Sequence, residues 1–98
     1  MSYKVILWPS VAKTIASWDL SNYLLVDVYL FLREVLPSNP SGFLRRDALP
    51  FDGMLFEFNI IDPENRLRQH FFTFQVVFSQ DEEALIIARG AYYRTDGV

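Results

Sequence analysis

The sequence predicts an α+β domain in which both helices pack on one face of a small, mainly antiparallel sheet. An N-terminal strand and two helices come first, and a three-stranded meander closes the chain. Three observations predict this. Leu24, Leu25, Val28, Phe31, Leu32, Val35 and Leu36 recur at helical spacing. "MLFEFNII" alternates in the manner of a strand. Two short polar segments, "DPEN" and "SQDEE", separate the apolar runs of the C-terminal half at hairpin distance.

Taken in order, "YKVILW" is enriched in β-branched and aromatic residues and reads as the first strand. Pro9 suits the start of a helix and Ser10 suits its cap. In "VAKTIASW", Val11 and Ile15 lie four apart with Ala12 and Ala16 beside them, so one side of a short helix is apolar. "DLSN" breaks the chain, and Ser21 or Asn22 caps the next helix, "YLLVDVYLFLREVL". Asp27 and Glu34, seven apart, mark its wet face. Pro37 is expected to end it, and "PSNPSG" reads as a loop. "FLRRDALPFDG" reads as an irregular connection with at most a short strand.

In "MLFEFNII", Phe56, Phe58 and Ile60 point one way and Leu55, Glu57, Asn59 and Ile61 the other. "DPEN" has Asp first and Pro second, as type I turns prefer. "RLRQHFFTFQVVF" returns as a long strand, polar near the turn and apolar on both faces further on, which suits a central strand under helices. "ALIIARGAYY" is the last strand. The expected pairings are "MLFEFNII" with "RLRQHFFTF" and "TFQVVF" with "ALIIAR", both antiparallel. Val28, Leu32, Phe58, Phe74, Val76 and Ile86 are the expected core.

Ninety-eight residues are read as one domain, 1–98. The composition, 51% hydrophobic and 16% aromatic, supports a core and excludes a disordered chain. The chain has no cysteine, which excludes disulfides and thiolate metal sites. The N-terminal stretch carries one lysine and an apolar run cut by Pro9, so it does not read as a signal peptide. No run is apolar for the length a membrane span needs. A cytoplasmic protein without a cofactor is the expectation.

Nine Lys and Arg against twelve Asp and Glu give a net charge of −3. Proteins that live on nucleic acid usually carry a basic excess, because phosphate neutralisation supplies much of their affinity. Here only a local patch can serve, drawn from arginines that all lie at or after Arg33.

The candidate residues each carry two readings. Arg89, at the end of the last strand, is either a phosphate ligand or half of an ion pair with a neighbouring strand. Tyr92 and Tyr93 are candidates for base stacking, but adjacent strand residues face opposite ways, so one of them belongs to the core. Arg66, Arg68 and His70 recur at period two and form a cationic stripe if the strand includes them all. The alternative is a solvated hairpin flank answering Asp62 and Glu64. Arg45 and Arg46, beside Asp47 and Asp52, read as solvated loop. His70 is the lone histidine, suited to acid–base work by its titration near neutral pH and unable to form a metal site alone. Arg94 extends the cationic set. No serine-hydrolase motif and no glycine-rich phosphate loop is present.

The order of elements resembles the RelE/ParE superfamily of bacterial type II toxins. "YKVILWPSVAKTIASW" at the start, the helical pair, and "FTFQVVFSQDEEALIIARGAYYR" at the end carry the resemblance. It implies the RelE/ParE-like fold, an antitoxin-like partner, and one of two activities. RelE-like members cut messenger RNA on the ribosome, using a base, an acid and cations around the scissile phosphate. ParE-like members act on DNA gyrase. Position by position, Arg89 matches the family's C-terminal arginine, and Tyr92 or Tyr93 falls near its tyrosine. Phe74 and Gln75 stand where the family has a tyrosine and an arginine. Glu57 and Asn59 stand where cations are expected. The resemblance therefore points to Arg89 and Tyr93 for catalysis, with His70 as a substitute from the hairpin; Arg66, Arg68, Tyr92 and Arg94 are the candidates for RNA or partner binding. The missing cations favour a toxin-family domain with weak or lost nuclease chemistry. A ribosome-dependent messenger endoribonuclease and a non-catalytic interaction module that keeps the fold are the alternatives. Convergence of Arg66, Arg68, Arg89 and Arg94 on one concave face would favour the nuclease.

Overall fold

The structure is a computed structural model and describes residues 3–46 and 54–97. Strand β1 (Lys4–Leu7) leads into helices α1 (Pro9–Ser17) and α2 (Asn22–Leu30). The helix continues through a π-helical stretch, Phe31–Val35, into α3 (Leu36–Ser38), and a short α4 (Pro40–Phe43) precedes β2 (Leu44–Arg46). Strands β3 (Met54–Ile61), β4 (Gln69–Ser79) and β5 (Ala84–Thr95) complete the chain. Among the described residues the sheet has five strands in the order β1-β5-β4-β3-β2. β1 runs parallel to β5, and the other neighbours are antiparallel. The expected hairpin pairings are both present, and residues 54–97 contain no helix.

α1 and the α2–α3 segment cover one face of the sheet. Val11 and Ile15 from α1 join Val28, Leu32 and Leu36 over Phe56, Phe72, Phe74, Val76, Leu85 and Ile87. Leu24 is buried as well. Each of these side chains removes apolar surface from water, about 1.5–3 kcal/mol per large residue. Trp18, just past α1, lies 5.9 Å from the rings of Phe72 and Phe74 and 5.5 Å from that of Tyr92. Phe31 stacks on Phe58 at 4.4 Å.

Several expectations are corrected. Ser10 does not cap α1: Trp8 holds the cap position, Pro9 opens the helix, and Ser10 lies inside it. Pro37 does not end the second helix. It lacks an N–H and its ring collides with the carbonyl four residues back. The π-helical stretch just before it, where the Leu36 N–H reaches the Phe31 carbonyl, widens the turn enough to carry the helix through. Ile86 is not core: Leu85 and Ile87 point under the helices, and Ile86 points to the other face. The long strand begins at Gln69 rather than Arg66. "FLRRDALPFDG" does contain a short strand, Leu44–Arg46; the remainder of that segment lies outside the described residues.

The turn between β3 and β4 explains the late start of β4. The Asp62 carboxylate accepts the Glu64 and Asn65 N–H groups at 2.8 and 3.3 Å, and the Asn65 side-chain oxygen accepts the Leu67 N–H at 3.1 Å. The Arg68 N–H then bonds the Asn65 carbonyl, and the Asp62 N–H bonds the Arg68 carbonyl, each at 2.9 Å. Two successive Asx-type contacts extend the turn to Arg68 and keep Arg66 and Arg68 out of the ladder.

Candidate functional site

The placement of Arg89, Tyr92, Tyr93 and Arg94 depends on a bulge in β5. Val76 pairs with Ile87, but Gln75 pairs with Arg89, so Ala88 has no partner. Leu85 and Ile87 face the helices, and strict alternation would send Arg89, Ala91 and Tyr93 the same way. One extra residue reverses the sense. Gly90 and Tyr92 now face the helices, opposite Phe74 and Phe72. Arg89, Ala91 and Tyr93 move to the face that no described helix covers. Gly90 shows why the chain turns over here. A Cβ on it would stand 2.8 Å from Phe74 Cε1 and 3.2 Å from Trp18 Cη2. Only a residue without a side chain fits beneath that aromatic pair.

The open face carries Leu55, Glu57 and Asn59 from β3, Phe71, Thr73 and Gln75 from β4, and Arg89, Ala91 and Tyr93 from β5. Phe71 and Tyr93 stack across the strands at 4.8 Å. Beside them a hollow of about 190 Å³ is lined by Glu57, Asn59, Thr73 and these two rings. Arg89 is the only cation that β3, β4 and β5 present on this face.

The opposite face carries a different cluster. His70, 3% exposed, sits at the start of β4 under the helix-bearing side. Its Nε2 lies 2.9 Å from Asp62 Oδ2 and its Nδ1 2.7 Å from the Tyr92 hydroxyl. A neutral imidazole satisfies both contacts, with Nε2–H donating to the carboxylate and Nδ1 accepting the phenolic proton. The His70 hydrogen bond is the main reason that the Asp62 carboxyl titrates below the ordinary aspartate range, and the Glu64 N–H adds to it. Burial pushes the Tyr92 phenol up. Above this chain opens a cleft of about 340 Å³ between the α1–α2 junction and the β3–β4 turn. Trp18, Asp19 and Tyr23 form one wall; Arg68 and Arg94 stand on the other. Both arginines reach the same atom, Asp96 Oδ1: Arg68 Nε at 2.6 Å and Arg94 Nε at 3.5 Å.

The expected residues therefore divide between two faces of the sheet. Arg89 and Tyr93 share the open face. His70 does not join them; it is buried on the other side, so the expected catalytic trio is not assembled. The stripe of Arg66, Arg68 and His70 does not form either. Arg66 is exposed in the turn, Arg68 pairs with Asp96, and only His70 lies in the strand. Arg68, Tyr92 and Arg94 do come together, in the cleft. The four arginines named for convergence do not converge. Asp62 was legible as the opener of "DPEN" and, with Glu64, as a counter-charge to the Arg66, Arg68 and His70 stripe, though not as the buried partner of His70. Asp96, 28 residues from Arg68, gave no signal. Among the described residues, no group of three His, Cys, Asp or Glu side chains is placed to hold a metal, and no helix is long and apolar enough to cross a membrane.

No family model matches the chain, and no curated protein matches it. Among solved structures it is similar to a chain of the RelBE2 toxin–antitoxin complex from Mycobacterium tuberculosis. The superposition has a TM-score of 0.70 at 11% identity, over 95% of this chain and all of that one. The fold is RelE-like. At that identity the backbone arrangement is shared and the side chains are not, so the RelE-like sheet here carries its own chemistry on each face.

Proposed function

We propose that this chain is a RelE/ParE-like toxin domain of a toxin–antitoxin system, held by an antitoxin-like protein partner, with weak or lost ribonuclease chemistry. The RelE-like fold supports the first part. One observation carries the second: across β3, β4 and β5 the open face offers a single cation, Arg89, with Glu57 and Asn59 two strands away on the same face. Transesterification at a phosphate needs a proton acceptor, a proton donor and positive charge around the developing dianion. Arg89 and Tyr93 supply one cation and one phenol. His70, the remaining acid–base candidate, faces the other way and has both ring nitrogens engaged. An acidic Glu57 near a bound phosphate costs several kcal/mol where the pair is partly desolvated, at about 4 Å separation.

Induction in bacterial cells tests this, with growth followed alongside primer extension on translated messages. The expected result is growth arrest without codon-linked cleavage. Cuts that disappear in an Arg89→Ala variant would establish the ribosome-dependent endoribonuclease instead. Absence of arrest at full expression would favour an interaction module that keeps the fold.

A further inference from the structure

The Arg68–Asp96–Arg94 contact has the form of an occupied anion site. Two guanidinium groups from different elements, one in the β3–β4 turn and one at the end of β5, converge on a single carboxylate oxygen. Each engages it through Nε. Among the described residues neither guanidinium has another side-chain partner. Each therefore keeps four terminal N–H donors, arranged in the planar fork that suits a carboxylate. Counted with Asp96, the pair retains one positive charge. Both arginines line the 340 Å³ cleft, whose floor is the Tyr92–His70–Asp62 chain. Asp96 itself is 57% exposed on its side chain and follows the last strand, so nothing in the core fixes it there.

We infer that Arg68 and Arg94 form a recognition fork for a carboxylate of a protein partner, and that Asp96 is its internal stand-in. The cleft selects among anions. Asp19, Asp62 and Glu64 also line it. A phosphate dianion meets about twice the repulsion from these groups that a carboxylate meets. A carboxylate already sits against the Nε side of both groups, so an acidic side chain on a partner replaces Asp96 there and gains the terminal N–H donors as well. Trp18 and Tyr23 on the facing wall give that partner segment an apolar surface to lie on. The assignment to a protein ligand rests on the toxin–partner reading above. The two fail separately, because growth arrest and message cleavage are read in cells and the fork is read on the purified protein.

The experiment follows the arginine Nε–H resonances of the purified full chain by NMR. The probe is a capped tetraglutamate peptide, with inorganic phosphate as the second arm and ionic strength held constant with potassium chloride. The peptide is expected to shift the Arg68 and Arg94 resonances and to leave Arg89 in place. Asp96→Asn removes the competing charge and is expected to tighten the peptide about two- to fivefold, the scale of one exposed ion pair. Arg68→Gln and Arg94→Gln are each expected to abolish the shift while the circular dichroism melt stays within a few degrees of the parent. If either glutamine variant unfolds, Arg94→Lys serves, since it keeps the charge and loses the fork. Equal peptide affinity in Asp96→Asn and the parent would overturn the stand-in. Phosphate binding more tightly than the peptide would overturn the carboxylate assignment.

Discussion

At the residue scale, Gly90 and Phe74 decide which way the C-terminal strand faces. Phe74 is fully buried and packs against Trp18. Phe74→Ala is expected to cost about 3–5 kcal/mol, the usual range for a truncated core phenylalanine; a loss below about 1 kcal/mol in urea melts would contradict its burial. Gly90→Ala lowers the entropy of the unfolded chain, which alone stabilises by about 0.4–1 kcal/mol. Against that stands a methyl group 2.8 Å from Phe74 Cε1, with Trp18 closing the other side. Overpacking of this kind costs about 1–3 kcal/mol, so the net effect is expected to be a loss. The Asp62–His70 contact adds a pH signature. The carboxyl of Asp62 is depressed in the folded state, so its contribution is present above the unfolded aspartate pKa of about 4 and disappears as pH falls through the lower folded value. Acid melts of Asp62→Asn should lose part of the steep decline below pH about 4 that the parent shows; parallel curves would count against the contact.

At the element scale, what could be read from the sequence was what periodicity controls. The alternation in "MLFEFNII" placed Phe56 inside and Glu57 outside, and the helical spacing placed Val28 and Leu32 in the core. What could not be read was each point where one residue breaks a period. The unpaired Ala88 reverses β5, so counting by twos from Leu85 carries Arg89 to the wrong face. The Asx-stabilised turn after Asp62 extends to Arg68 and dissolves the expected stripe. The π-helical stretch lets Pro37 sit inside a helix. The bulge goes with a contact to residues elsewhere, Trp18 and Phe74 over Gly90, that local pattern does not carry; the turn and the π-helical stretch are held by local contacts that hydrophobic periodicity does not report. Deleting Ala88 tests the first of these. The deletion leaves Arg89 directly after Ile87, where plain alternation already sends it to the open face, with Gly90 and Tyr92 still under the helices. The deletion variant is therefore expected to melt close to the parent; a loss of about 3 kcal/mol or more would mean that Ala88 does more than set the sense of the strand.

At the scale of the whole molecule, charge and fold pull apart. The RelE-like sheet provides an open face, yet the chain carries −3 overall, and β3, β4 and β5 present one cation there. Affinity for RNA comes largely from released counterions, and for single strands log K falls with log salt by about 0.7 per phosphate neutralised. With Arg89 as the one cation that β3, β4 and β5 supply and one neighbour assisting, one or two phosphates are neutralised. The salt slope for a short single-stranded RNA is then expected between about −0.7 and −1.4, with weak binding at physiological salt. Fluorescence anisotropy across a potassium chloride series measures it directly. Arg89→Gln should flatten the slope towards zero. The double variant Glu57→Lys with Asn59→Lys places two cations on the same face, beside Thr73 and Phe71 in register, and should steepen it by about −1.4. A parent slope of about −3 or steeper would mean that four or more phosphates are held. Charges beyond Arg89 would then serve RNA, and the weak-nuclease reading would give way. A steepened slope in the double variant with a shallow one in the parent would show that the charges at positions 57 and 59 set the RNA affinity of this face.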